Sequence, residues 1–162
     1  MRRIHRTALL PYSAEQLYDL VNDVDAYPQF LPWCRSAKIE QVTETEVVAT
    51  LDLALKALHK SFTTRNHLVP GREIRIELEN GPFRTLEGRW QFSDLQSVPG
   101  AETAVHGCRI TLDLSFALAG RILEMTAGPI LEKVADSMVE LFSERARVVC
   151  ADAEKSADNG AG

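Results

Sequence analysis

Hydrophobic positions along this chain recur with two periods, and the change of period marks out the elements. Over residues 13–24, SAEQLYDLVNDV, the residues Leu17, Leu20, Val21 and Val24 keep the i, i+3, i+4, i+7 spacing of one buried helix face. Ser13 and Gln16 stand at the capping-box spacing, and Tyr12 is placed to staple onto Leu17 across the cap. Ahead of the helix, RIHRTALLP (residues 3–11) reads as a first strand. From about residue 35 the period is two. SAKIEQV and EVVATLDL form a hairpin around Thr43–Thr45, and KSFTTRNHLV, REIRIELEN, RTLEGRWQF and CRITLDLSF continue as strands. Asn80-Gly81-Pro82 makes a turn between two of them. In REIRIELEN, Ile74, Ile76 and Leu78 alternate with Arg75, Glu77 and Glu79, which predicts an antiparallel sheet with one wet and one covered face.

A long amphipathic helix over residues 120–155 is expected to cover that sheet. Its stripe is Ile130, Val134, Met138, Leu141, Phe142, Arg145, Val148 and Val149. Pro129 predicts a kink, or a restart with Pro129 at the first helical position. LQSVPGAETAVHG reads as a polar connection, and the tail from residue 153 to 162, ending SADNGAG, as disordered. One domain over residues 1–152 follows, of α+β class, with a curved antiparallel sheet wrapped around one long helix. One helix cannot fill a broad concave sheet, so a cavity between them is expected.

The segment between the first helix and the sheet breaks the usual pattern for a connection. DAYPQFLPWC, residues 25–34, sets Tyr27, Phe30, Leu31 and Trp33 among Pro28 and Pro32. The prolines argue against a regular helix or a central strand. The segment is therefore expected as an apolar plug or the movable lip of an apolar pocket.

Composition narrows the function classes. The 162 residues suit one domain, and a net charge of −5 argues mildly against a nucleic-acid surface. No apolar run approaches the roughly 20 residues of a membrane-spanning helix. The basic start MRRIHR lacks a cleavage site after an apolar core, so the mature chain is expected to begin at Met1, in the cytoplasm. Cys34, Cys108 and Cys150 are far apart, without a CxxC, and the four histidines show no ligand spacing. Neither a disulfide framework nor a metal site is expected.

Three runs, RTALLPYSAEQLYDLVNDVDAYPQFLPWC, FTTRN at 62–66 and GPFRTLEGRWQF at 81–92, resemble the coenzyme Q-binding START-like family. Its bacterial members carry the name ribosome-association toxin (RatA type) and an older name, oligoketide cyclase. The resemblance spans about residues 3–150 and implies a helix-grip (START/Bet v-like) fold with a hydrophobic cavity. It implies ubiquinone, an isoprenoid quinone, as bound ligand in support of respiration. The alternative it carries is a toxin that binds the large ribosomal subunit and blocks subunit joining. A polyketide cyclase-like enzyme is the lesser reading, since parity sends Glu77, Glu87, Arg89, Asp113 and His67 to the outer face and leaves no inward acid–base pair.

An isoprenoid quinone is mostly uncharged chain with two carbonyl acceptors, so its site needs apolar walls and few polar groups. The candidates along the connection are Tyr27, Phe30, Leu31 and Trp33. From the strands come Phe62, Thr64, Asn66, Phe83, Gly88, Trp90 and Phe92, and from the long helix Met138 and Phe142. Taken singly, each aromatic also fits an ordinary core role. Thr64 and Asn66 share the parity of Phe62 and suit a quinone carbonyl, while the ordinary role for Asn66 is a backbone bond at a strand end. Gly88 would leave room for the cavity or bend the sheet. Contact with the inner-membrane surface, where quinones reside, would use the 30–33 segment or the N-terminal arginines. For the ribosome reading, Arg2, Arg3, Arg6, Arg35, Lys38, Lys60, Arg65, Arg72, Arg75, Arg84 and Arg89 would have to gather on the outer sheet face.

Overall fold

Seven strands account for the period-two segments. In the computed structural model, which describes residues 1–56, 58–95 and 107–160, these are β1 (Arg2–Leu10), β2 (Cys34–Val42), β3 (Glu46–Leu55), β4 (Leu58–Val69), β5 (Glu73–Asn80), β6 (Phe83–Asp94) and β7 (Cys108–Leu118). They form one sheet in the order β1-β7-β6-β5-β4-β3-β2. Every neighbouring pair is antiparallel. One row of residues crosses six strands: Val47, Asn66, Ile76, Gly88, Leu114 and Ile4 stand opposite one another in turn. The rest of the expected polar connection after β6 lies mostly outside the described residues.

The first helix, α1 (Ala14–Asn22), begins as its cap predicts. The Ser13 hydroxyl accepts the Gln16 backbone N–H at 3.1 Å, and the Gln16 side chain accepts the Ser13 N–H at 2.9 Å. Leu17, Leu20 and Val21 are buried, as is Tyr12 across the cap.

Residues 24–29 form a 3-10 helix that contains Pro28, where an irregular connection was expected. A turn this short loses little to a missing N–H. The Tyr27 carbonyl closes it by accepting the Phe30 and Leu31 N–H groups at 3.2 and 2.9 Å. Tyr27, Leu31 and Trp33 are buried in the main core. The segment is a plug of the core.

The last helix, α2 (Arg121–Gly160), passes through Pro129 without interruption. Pro129 and Met125 both lie on the exposed side of the helix, where water can serve a carbonyl left without its helical N–H. The helix continues past the expected boundary at residue 152 through Gly160, and residues 161–162 lie outside the described ones. No Pro and no further Gly interrupts residues 130–159, so nothing in the sequence stops it earlier. The buried stripe is also not the expected one. Ala127, Leu131, Ala135, Val139, Phe142, Ala146 and Cys150 face the core, while Val148 and Val149 are exposed. Helical spacing was right and the phase was displaced by about one residue. Alanines bring the helix close to the sheet, and a reading weighted to large side chains overlooks them. Close approach is visible at Gly128, where an added Cβ would stand 2.6 Å from the Arg2 guanidinium.

Candidate functional site

A cavity of about 130 Å³ lies between the concave sheet face and α2. Each wall follows from strand parity or helix phase. β3 supplies Ala49, Leu51 and Leu53, and β4 supplies Phe62, Thr64 and Asn66. Ile76, Leu86, Trp90, Leu114 and Phe116 come from β5, β6 and β7. Leu131, Val134, Ala135 and Met138 close it from α2, and Val24, Tyr27 and Trp33 from the plug. Phe83 completes the lining and packs edge-on to Phe62 with ring centroids 5.6 Å apart.

Eight of the expected site residues therefore meet around one space: Tyr27, Trp33, Phe62, Thr64, Asn66, Phe83, Trp90 and Met138. Five do not line it. Leu31 is buried beneath the plug. Phe30 is half-buried and packs edge-on to Phe142 at 5.1 Å, with the Arg145 guanidinium 5.2 Å from its ring centre. Phe142 is enclosed by Tyr27, Phe30 and Trp90, so it joins plug, sheet and helix as core. Phe92 points to α1, edge-on to Tyr18 at 5.8 Å. Gly88 does not itself border the cavity, because the space beside it is filled by side chains of two residues that do. A Cβ there would stand 2.9 Å from Leu114 Cδ1 and 3.2 Å from Ile76 Cδ1. The expectation of a lip at residues 30–33 is thus corrected: Trp33 faces the cavity from inside, and Phe30 seals the plug against α2. Ala49, Leu51, Leu86, Leu131 and Ala135 also line the cavity and are not among the residues expected there. Parity on β3 and β6 was a sufficient signal for the first three.

The lining is apolar apart from Tyr27, Trp33, Thr64 and Asn66. The Tyr27 hydroxyl donates to the Val21 carbonyl, and burial, the largest cause, raises its pKa. Beside it, burial pushes the Cys34 thiol up to about 11. Trp33 Nε1 and Asn66 Oδ1 are buried and have no hydrogen-bond partner among the described residues. The ordinary role expected for Asn66, an amide oxygen satisfied by backbone, is therefore not what the structure shows. Asn66 sits in mid-strand, where the ladder already uses the neighbouring backbone groups.

The outer face of the same strands carries mixed charge. Arg65 bonds Glu79 at 2.6 Å and Glu46 at 2.8 Å, and His67 lies 2.7 Å from Glu77 and 3.2 Å from Glu46. Arg89 pairs with Glu73 at 3.2 Å. Arg2 turns from the sheet to Glu124 and Glu132 of α2 at 2.9 and 2.8 Å, and Arg6 turns to Asp136. Of the basic residues expected to gather on the outer face, Arg2 and Arg6 thus pair with α2, while Arg65 and Arg89 pair with acids of neighbouring strands. No described helix is long and apolar enough to cross a membrane.

This architecture recurs in known proteins. A START superfamily protein from Mycobacterium smegmatis superposes with a TM-score of 0.64 at 20% identity, over 91% of this chain and 98% of that one. The chain is 48% identical over 144 residues to the "Ribosome association toxin RatA" of Pseudomonas aeruginosa, covering 89% of this chain and 94% of that protein. It is 27% identical over 139 residues to the "Coenzyme Q-binding protein COQ10 homolog B, mitochondrial" of Xenopus laevis, covering 85% of this chain and 55% of that protein. The model of the family described as "Polyketide cyclase / dehydrase and lipid transport" matches residues 10–143. With seven antiparallel strands curved about one long helix, the chain belongs to that START-like family.

Proposed function

We propose that this protein binds an isoprenoid quinone in the cavity between the sheet and α2, and holds or delivers it without transforming it. One observation carries the reading: the cavity walls are apolar, with no carboxylate, histidine, lysine or arginine among the described residues that line it. Burying the apolar surface of an uncharged ligand against such walls is worth about 25 cal/mol per Å². The name of the Xenopus laevis relative supports quinone as the ligand. Loading from a quinone pool calls for contact with the inner-membrane surface by an otherwise cytoplasmic protein. The test is mass spectrometry of lipids extracted from natively purified protein, beside an Ala135→Phe variant that fills the cavity. Quinone in the wild type and its loss in the variant are expected. A protein that is empty and also fails to take up added quinone would overturn the reading.

A second reading, association with the large ribosomal subunit, is favoured by the name of the Pseudomonas aeruginosa relative. It would use the outside of the molecule, so the two readings are compatible. Sedimentation with purified subunits over a salt series tests it. A phosphate-contacting surface gives binding that falls steeply with salt. Binding unaffected by salt would indicate a protein partner instead.

A further inference from the structure

Among the described residues that line the cavity, Trp33 Nε1 and Asn66 Oδ1 are the two unpartnered buried polar atoms. Asn22, Thr85 and Arg145 also carry such an atom, and none of them lines it. Trp33 is 4% exposed and Asn66 9%, and bulk water does not reach either of these two atoms. An unmade hydrogen bond at a buried site costs free energy that a ligand with matching polar atoms recovers. Size limits what that ligand places inside. At about 130 Å³ the cavity is close to the ~150 Å³ at which an engineered apolar cavity accepts benzene. It takes one six-membered ring, and a long isoprenoid tail does not fit beside it.

The geometry points to a polar recognition pair: Trp33 and Asn66 hold the oxygenated ring of the ligand inside the cavity, in either redox state, with the tail directed outward. The inference rests on the quinone reading above and specifies how that ligand is held. An indole N–H only donates. A quinone carbonyl oxygen and a quinol hydroxyl oxygen both accept, so Trp33 serves either. A carboxamide donates through its nitrogen and accepts through its oxygen. Turned one way, Asn66 donates to a carbonyl; turned the other, it accepts from a hydroxyl. The Asn66 side chain makes no other hydrogen bond that would fix its orientation among the described residues. Among the described lining residues no ionised group stands to favour one redox form. The ring is therefore held with little preference between quinone and quinol. This suits a carrier that takes up either form and releases the same form unchanged.

The test uses the full chain and three probes in anaerobic titration calorimetry: decylubiquinone, its reduced quinol, and decylbenzene, which keeps ring and chain and lacks oxygen. The wild type is expected to bind the quinone and the quinol within about threefold of each other, and decylbenzene roughly tenfold or more weakly. Asn66→Leu and Trp33→Phe should each weaken quinone and quinol by roughly three- to tenfold and leave decylbenzene unchanged or tighter. Asn66→Leu should also raise the melting temperature of the ligand-free protein, because an unpaired amide is removed from the core. That rise separates a recognition residue from a structural one, whose loss would lower the melting temperature. Failure of the wild type to bind either ubiquinone form would overturn the quinone reading. Equal binding of all three probes, with both variants unchanged, would leave an apolar carrier and overturn the recognition pair. A preference above tenfold for one redox form would overturn the claim of indifference.

Discussion

Strand β4 faces two environments, and its alternate residues are built on opposite terms. Outward, Thr63, Arg65 and His67 find partners: Thr50 at 2.7 Å for the first, and Glu46, Glu77 and Glu79 for the others. Inward, Phe62, Thr64 and Asn66 line the cavity, and Asn66 leaves its amide oxygen unpaired. Exposed ion pairs add little to stability, because water solvates both ions nearly as well when they are apart. An unpaired polar atom in the interior costs on the order of 1–3 kcal/mol. The convex face is thus well satisfied but weak in stabilising effect, and the concave face carries a deficit. Stability must come from elsewhere on that inner side. It comes where Ala127, Leu131, Ala135, Val139, Phe142 and Ala146 bring α2 down onto the core.

The largest effect is expected where the plug, the sheet and α2 converge. Phe142 is 1% exposed and touches Tyr27, Phe30 and Trp90 edge-on, at 5.4, 5.1 and 5.2 Å between ring centres. Phe142→Ala should cost about 3–5 kcal/mol in urea denaturation. The same truncation at Phe62, half-buried on the cavity wall, should cost clearly less. Equal losses would mean that the cavity wall is ordinary core, and the contrast within the inner face would disappear.

A smaller effect sharpens the same contrast. An added Cβ at Gly88 would press Leu114 Cδ1 and Ile76 Cδ1, both ends of flexible side chains on the cavity wall. Gly88→Ala should cost only about 1 kcal/mol, because those methyls can turn into the open space. It should also reduce uptake of decylubiquinone, measured by calorimetry. A large loss of stability with uptake intact would show that the wall is rigid at that point.

The elements legible in the sequence were those whose periodicity involves large side chains. The seven strands and the cap of α1 are examples, and parity alone put Thr64 and Asn66 on the inner face beside Phe62. The phase of α2 was misread because its contact face is built on Ala127, Ala135 and Ala146, which carry little hydrophobic weight yet permit close packing. Gly88 was misread because its consequence depends on Leu114 and Ile76 from two other strands, a relation that exists only after the sheet is paired. Phe30 and Leu31 look equally apolar beside Trp33, and only the fold of the 3-10 turn decides that Trp33 alone of these reaches the cavity. Unpaired polar atoms are the least legible feature, since a sequence names the polar residues but not their partners.

The smallest effects belong to the acids, and pH separates two kinds of them. Glu124 holds the corner between β7 and α2: one carboxylate oxygen accepts the Leu118 backbone N–H at 2.8 Å and the other accepts Arg2 Nε at 2.9 Å. The backbone bond is the main reason its pKa lies below the ordinary 4.5, with Arg2 adding to it. Glu77, on the convex face, is also lowered from 4.5, chiefly by its bond with His67. A folded-state pKa below the unfolded value stabilises the protein above about pH 4.5, and this contribution is lost as pH falls through the folded value. Wild type should therefore melt above Glu124→Gln at pH 7, and the gap should close as the pH is lowered below 4.5, where a protonated Glu resembles Gln. Glu77→Gln should show the same sign and a smaller gap, since its side chain is 53% exposed against 35% for Glu124. Salt then tells them apart. Half-molar NaCl screens charges at a Debye length of about 4–5 Å, which should nearly abolish the Glu77 gap. A carboxylate held first by a backbone N–H keeps that bond in salt, so much of the Glu124 gap should survive. Gaps that do not change with pH in either variant would refute the assignment of these acids, and equal loss in salt would refute the distinction between corner and convex face.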